Sequence, residues 1–134
     1  MRSLIVLAAG AALASSVALA DPARDIMTSV PTNSVTVTDW YKQDVYDPKN
    51  NKIGSVSDVL VSPEGQVNAL IVGVGGFLGV GEKDVAVPFG AIKQTKKDNK
   101  IYLTMSATKD ELKAAPGFKY DREKTAWVPD TSSK

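Results

Sequence analysis

Apolar and polar positions follow three patterns along the chain. From Leu4 to Leu13 the residues are apolar or small without a break. From Ser34 to Met105 apolar residues come in short runs, many alternating with polar or small ones, which is the period of a β-strand. After Ser106 the alternation gives way to a charged segment in which Leu112, Phe118, Tyr120 and Trp127 are widely spaced.

The middle pattern predicts six strands. Ser34 to Thr38 alternates weakly, and Asp39 could cap a brief turn holding Trp40 and Tyr41. Asp44-Val-Tyr46 and Lys52 to Val61 flank Asp47-Pro-Lys-Asn-Asn51, where Pro presets φ and Asn tolerates the left-handed region, so a hairpin follows. Ser62-Pro-Glu-Gly65 is the next turn, with Gly65 at the position that needs positive φ. The strand from Gln66 to Val74 sets Leu70, Val72 and Val74 against Ala69, Ile71 and Gly73, so both of its faces are apolar or small and both need cover. Asp84 to Pro88 follows, then a tight connection from Phe89 to Ile92. A last hairpin pairs Ile92 to Thr95 with Ile101 to Met105 across Lys96 to Lys100, with Ile101, Leu103 and Met105 inward and Tyr102 and Thr104 outward.

One helix start is explicit. Thr108-Lys-Asp-Glu111 is a capping box, and Pro116-Gly117 stops the helix within about two turns. The fold class expected is mainly β: a small six-stranded antiparallel barrel or strongly bent sheet with one short C-terminal helix. Phe118 to Lys134 reads as a docked extension that frays after Pro129.

The first pattern is not part of that fold. Arg2, the apolar run and Ala18-Leu19-Ala20 have the layout of a secretory signal peptide cleaved between Ala20 and Asp21. The organisation expected is thus a signal peptide over 1–20, a partly extended leader over 21–39, a barrel domain over 40–106, and a helix with extension over 107–134. Such a chain is secreted, and periplasmic after cleavage. It would tolerate an oxidising compartment through packing alone, since it has no Cys.

Charge narrows the partners. Without Arg2 the chain carries 15 basic and 15 acidic side chains, so no global attraction to nucleic acid is expected. The signs are uneven, with ten basic against six acidic groups from Lys93 onward. That basic C-terminal segment could face an acidic partner or a lipid surface, although a solvated face of interspersed signs explains it more simply.

Chemistry is scarce. With His and Cys both absent, the usual general bases, thiolate nucleophiles and zinc ligands are missing. The carboxylates Asp58, Glu64, Glu82 and Asp84 could pair as acid and base, but each is more simply a turn or surface residue, so no catalytic residue, metal site or cofactor is expected. The glycine-rich run Gly73, Gly75, Gly76, Gly79 and Gly81 fails both phosphate motifs. Leu78 stands where the dinucleotide fingerprint needs Gly, and Glu82 where the P-loop needs Lys. Inside this run Phe77 and Leu78 are adjacent apolar residues that either fold back on the domain or project toward a partner, which makes them the candidate partner-binding pair.

The residues Val45-Tyr-Asp47, Ile53-Gly-Ser-Val-Ser-Asp-Val59, Pro63-Glu-Gly65, Val72 to Gly79 and Val85-Ala-Val-Pro88 together resemble the PRC-barrel domains, named for the cytoplasmic part of the photosynthetic reaction-centre H subunit. The resemblance runs from Trp40 to Met105, and Gly54, Asp58 and Gly65 are its most specific positions. It implies a six-stranded barrel-like fold used for assembly, and hence a non-catalytic binding or adaptor module with a protein partner at the cell envelope, linked to an electron-transport complex. A small-molecule carrier, or a weak carboxylate enzyme using the barrel mouth, is the alternative.

Export predicts a mature chain that begins at Asp21. Intact-mass measurement of the protein recovered from its host checks this, and a mass that still includes Met1 would refute it.

Overall fold

The computed structural model describes residues 25–76 and 81–131, with Gly10 alone before them. The chain divides into two units, Met1–Ser34 and Val35–Lys134. Residues 25–34 of the first are exposed throughout. No helix among the described residues is long and apolar enough to cross a membrane.

The second unit opens with α1 (Val37–Trp40), where a partly extended leader with strand-like alternation was expected over Ser34 to Thr38. Its cap is Thr36, not Asp39: the Thr36 side chain accepts the Asp39 amide at 3.2 Å. The single turn swings Trp40 into the core. There its ring stacks on Phe89 at 4.9 Å between centroids, and its indole N–H donates to Gln94. Burying an indole with its N–H satisfied outweighs the weak strand preference of this short segment.

Eight strands follow. They are β1 (Asp44–Tyr46), β2 (Lys52–Val61), β3 (Val67–Val74), β4 (Lys83–Pro88), β5 (Lys93–Lys97), β6 (Lys100–Thr104), β7 (Phe118–Asp121) and β8 (Ala126–Pro129). A 3-10 turn, Phe89–Ala91, joins β4 to β5, and α2 (Lys109–Ala114) precedes β7. The capping box of α2 is formed in both directions, with Thr108 and Glu111 exchanging bonds of 3.1 and 3.0 Å.

All eight strands share one sheet in the order β5-β6-β1-β2-β3-β4-β7-β8. The mainly β expectation holds, but three details differ from a six-stranded antiparallel barrel. β1 and β6 run parallel, Val45 beside Leu103, because the whole intervening chain returns to the first strand's free edge. The extension after α2 forms the extra hairpin, β7 and β8, whose turn is held by the Asp121 carboxylate on the Glu123 and Lys124 amides. Finally, β5 and β8 stand at the two ends with no ladder between them among the described residues, so the sheet is open.

The main core lies on one face. Val45, Ile53, Val56, Leu70, Val72, Val74, Val85, Val87 and Leu103 pack there with Trp40 and with Leu112 of α2. β2 reaches across this core because its ladders are interrupted three times, beside Ile53, Ser57 and the Leu60–Val61 step. At the first two the extra residue, Ile53 or Ser57, belongs to β2, and each such bulge bends the strand and increases its twist. At Gly54 the bend brings backbone to backbone, since a Cβ there would stand 2.7 Å from the Gly73 carbonyl oxygen and from a Val72 methyl.

Gly65 closes the β2–β3 hairpin at φ +88°, with its amide on the Ser62 carbonyl at 2.9 Å. No atom crowds its missing Cβ, so the constraint is conformational alone. Gly65→Val should therefore destabilise by about 1–3 kcal/mol, the cost of a β-branched residue in a sparsely allowed region. Urea denaturation checks this, and an unchanged midpoint would refute it.

Candidate functional site

β3 needs cover on its second face, since Ile71 is wholly buried yet lies outside the main core cluster. The neighbours of that face are Asp58 on β2 and Ala86 on β4, both registered with Ile71. Asp58 gets there through the bulge at Ser57, which lets Val56 and Val59 both face the core while Asp58 faces away. Its carboxylate accepts the Val59 amide at 2.8 Å and, at 2.7 Å, the indole N–H of Trp127 from β8. β8 is four places from β2 in the strand order, so the β7–β8 hairpin must fold back over the sheet to make this bond. Asp58 is thus held in mid-strand by a backbone amide and an indole.

The second carboxylate of this face is Asp84, beside Gly73 on β4. The Ser57 hydroxyl donates to it at 3.3 Å across the gap that Gly73 leaves open. Glu82 occupies the remaining space, and a Cβ on Gly73 would fall 1.5 Å from its Oε1. Burial raises the Asp84 pKa above its ordinary value of 3.8, and the Ser57 bond only partly offsets this. Asp58 is bound to Trp127 and Asp84 to Ser57, Glu82 lies beside Gly73, and Glu64 lies in the β2–β3 turn. Among the described residues no group of three or more acidic side chains stands close enough to hold a metal ion.

The glycine-rich run is only partly described. Gly75, Gly76 and Gly81 have φ of +75°, +78° and +76°, whereas Phe77, Leu78 and Gly79 lie outside the described residues. Gly54, Gly73, Gly75 and Gly76 line one wall of a cavity of about 380 Å³, with Lys52, Lys109 and Glu82 at its margin. Lys52 is already paired with Asp44 at 3.0 Å. The Glu82 carboxylate beside these glycines would repel a phosphate.

Among the described residues of the domain, an exposed apolar surface lies at the opposite end of the β2–β3 hairpin. Val35, Val37 and Val61 are 48, 58 and 56% exposed. Val61 is registered with Val67, and Val35 and Val37 line a shallow groove with Val67, Val59 and Phe89. The patch was missed in the sequence because its members come from α1 and the residues before it, from β2 and from β3, and the strand members adjoin only through register. The basic residues from Lys93 onward do not form one surface either. They are divided among the β5–β6 hairpin, α2 and the β7–β8 hairpin, the two hairpins lying at opposite ends of the strand order.

A raised carboxyl pKa sets the sign of a pH effect. Between the unfolded and folded pKa the native state holds the proton more tightly, so Asp84 lowers stability as pH rises through and above 3.8. Asp84→Asn lacks this ionisation. Its melting temperature relative to the parent should climb as pH is raised from below 3.8 to neutrality, whereas a difference independent of pH would refute the assignment.

Residues 33–112 match the family of the PRC-barrel domain. No curated protein matches the chain. The matched span contains α1, all of β1 to β6 and most of α2, and it stops before the hairpin that carries Trp127. With more than half of its length inside that match, the chain belongs to the PRC-barrel domain family.

Proposed function

We propose that this chain is a non-catalytic interaction module, exported by its N-terminal segment, which works in the periplasm by holding a protein partner at the cell envelope. Membership of the PRC-barrel family suggests protein interaction in general, and an electron-transport complex is the kind of assembly that the family resemblance favours. The observation that carries the reading is the patch of Val35, Val37 and Val61. Its three side chains are half exposed around the partly buried Val59, Val67 and Phe89. Contiguous apolar surface of this kind on a small domain marks a contact site. The second-face carboxylates Asp58 and Asp84 support a structural role in place of catalysis, because each is already engaged by a protein donor.

Phe77 and Leu78 remain the other proposed anchor, and the test separates the two. Val37→Ser with Val61→Ser removes the patch, and Phe77→Ser with Leu78→Ser removes the loop pair. Each double variant is compared with the parent for melting temperature and for envelope proteins co-purified from the native host. Loss of partners from the patch variant at an unchanged melting temperature supports the reading, with about 2 kcal/mol or more of binding lost for a true anchor. Loss from the loop variant alone moves the anchor to Phe77 and Leu78. Retention by both refutes the module.

A further inference from the structure

A second surface is independent of that patch. In β1 and β6 the core takes Val45 and Leu103, so alternation turns Tyr46, Tyr102 and Thr104 to the other face. Register brings them together, Tyr46 beside Thr104 and Tyr102 beside Thr95 of the edge strand β5. The two tyrosine rings stand 6.2 Å apart at 54°, forming the sides of an open trough of about 380 Å³. That volume lies within the range of small-ligand sites.

Two tight turns close the trough's ends. Asn50 comes from the β1–β2 turn at φ +64°, which the Asp47 carboxylate holds through the Lys49 and Asn51 amides, both at 2.9 Å. Lys97 and Asp98 come from the β5–β6 turn, where Asp98 and Asn99 both have positive φ. The turn backbones are therefore set before any ligand arrives. Among the described residues, none of the side chains lining the trough has a hydrogen bond or ion pair within the protein. Phenol, hydroxyl and amide groups are all free, between sides of aromatic carbon.

This chemistry discriminates among ligands. An apolar ligand would strip water from the phenols, threonine hydroxyls and Asn50 without replacing its hydrogen bonds. An anion would meet the Asp98 carboxylate next to Lys97, with Lys100 opposite Lys97 as the further cation of this turn. A pyranose ring suits both halves of the site. It has a C–H face that stacks on an aromatic ring, and hydroxyls on its edge that donate and accept. We propose that the trough formed by Tyr46 and Tyr102 binds one or two sugar rings of a neutral glycan, held at the edge by Asn50, Thr95 and Asp98.

The test is a titration of the isotopically labelled mature protein with cellobiose, maltose and the disaccharide of N-acetylglucosamine, followed by amide NMR. At least one disaccharide should shift the amides of Tyr46, Asn50, Thr95, Asp98 and Tyr102 and leave those of Val35, Val37 and Val61 in place. Tyr102→Ala should weaken that binding about tenfold or more at an unchanged melting temperature. Should Tyr102→Ala unfold, Thr95→Val removes only an exposed hydroxyl and should still weaken binding several-fold. If no disaccharide moves these amides, if inorganic phosphate moves them more strongly, or if the folded variants bind as the parent does, the proposal is overturned. None of these outcomes bears on the protein-binding patch, whose residues the titration reads separately.

Discussion

The structure depends on one strand having no polar face from Ala69 onward. β3 sends Leu70, Val72 and Val74 to one side and Ile71 to the other, and all four are sealed from water. Burying a large aliphatic side chain contributes about 1.5–3 kcal/mol, so leaving either face wet would forfeit a large part of a small domain's stability. A single layer behind the sheet cannot cover both. The first face is closed by β1, β6, α1 and α2 through Val45, Leu103, Trp40 and Leu112. The second is where the β7–β8 hairpin returns to deliver Trp127 to Asp58. The C-terminal segment is therefore part of the fold's solution, although the family match ends before it begins.

Two-sided burial also explains the polar residues beside β3. A carboxylate on an otherwise covered face is costly unless it is paired. Asp58 meets this condition with one amide and one indole N–H, which also fixes the register of the hairpin against the sheet. Among the described residues Asp84 accepts from the Ser57 hydroxyl alone, and burial holds its pKa above the ordinary value. The glycines of the same region serve the same geometry. Gly54 lets β2 cross close over the Gly73 carbonyl, and Gly73 leaves room for Ser57, Asp84 and Glu82 to approach over a strand that would otherwise separate them.

Local features were legible in the sequence because local rules determine them. The capping box at Thr108 and Glu111, the Gly65 turn and the inward set of Leu103 and Met105 each follow from a few neighbouring residues. The failures are all long-range. The Thr36 cap in place of Asp39 follows from where Trp40 finds Phe89 and Gln94, residues about fifty positions away. The strands β7 and β8 have too few apolar alternations to announce themselves, and they exist because β4 offers an edge at Asp84 and β2 a partner at Asp58. The parallel pairing of β1 with β6 has no local signature at all. The same reasoning covers the sites. Tyr46 with Tyr102, and Val61 with Val67, become neighbours only when register is known.

What remains outside these constraints is where function can reside. A residue already committed to holding β3 between two layers cannot change its contacts without loosening the sheet, which removes Asp58, Trp127, Gly54 and Gly73 from the pool of adaptable groups. The sheet's two ends differ in how much they leave free. At the β8 end, Trp127 packs edge-on against Tyr120 at 5.8 Å and its indole N–H is already used. At the β5 end, Trp40 and Gln94 satisfy each other on the core side, so the opposite side of that same hairpin carries Thr95, Lys97 and Tyr102 under no structural demand. A fold that uses one terminal hairpin as a cover and leaves the other supported from behind but open in front offers a rigid platform with uncommitted side chains. Binding surfaces on small domains need this combination, because a preorganised backbone reduces the ordering cost of association.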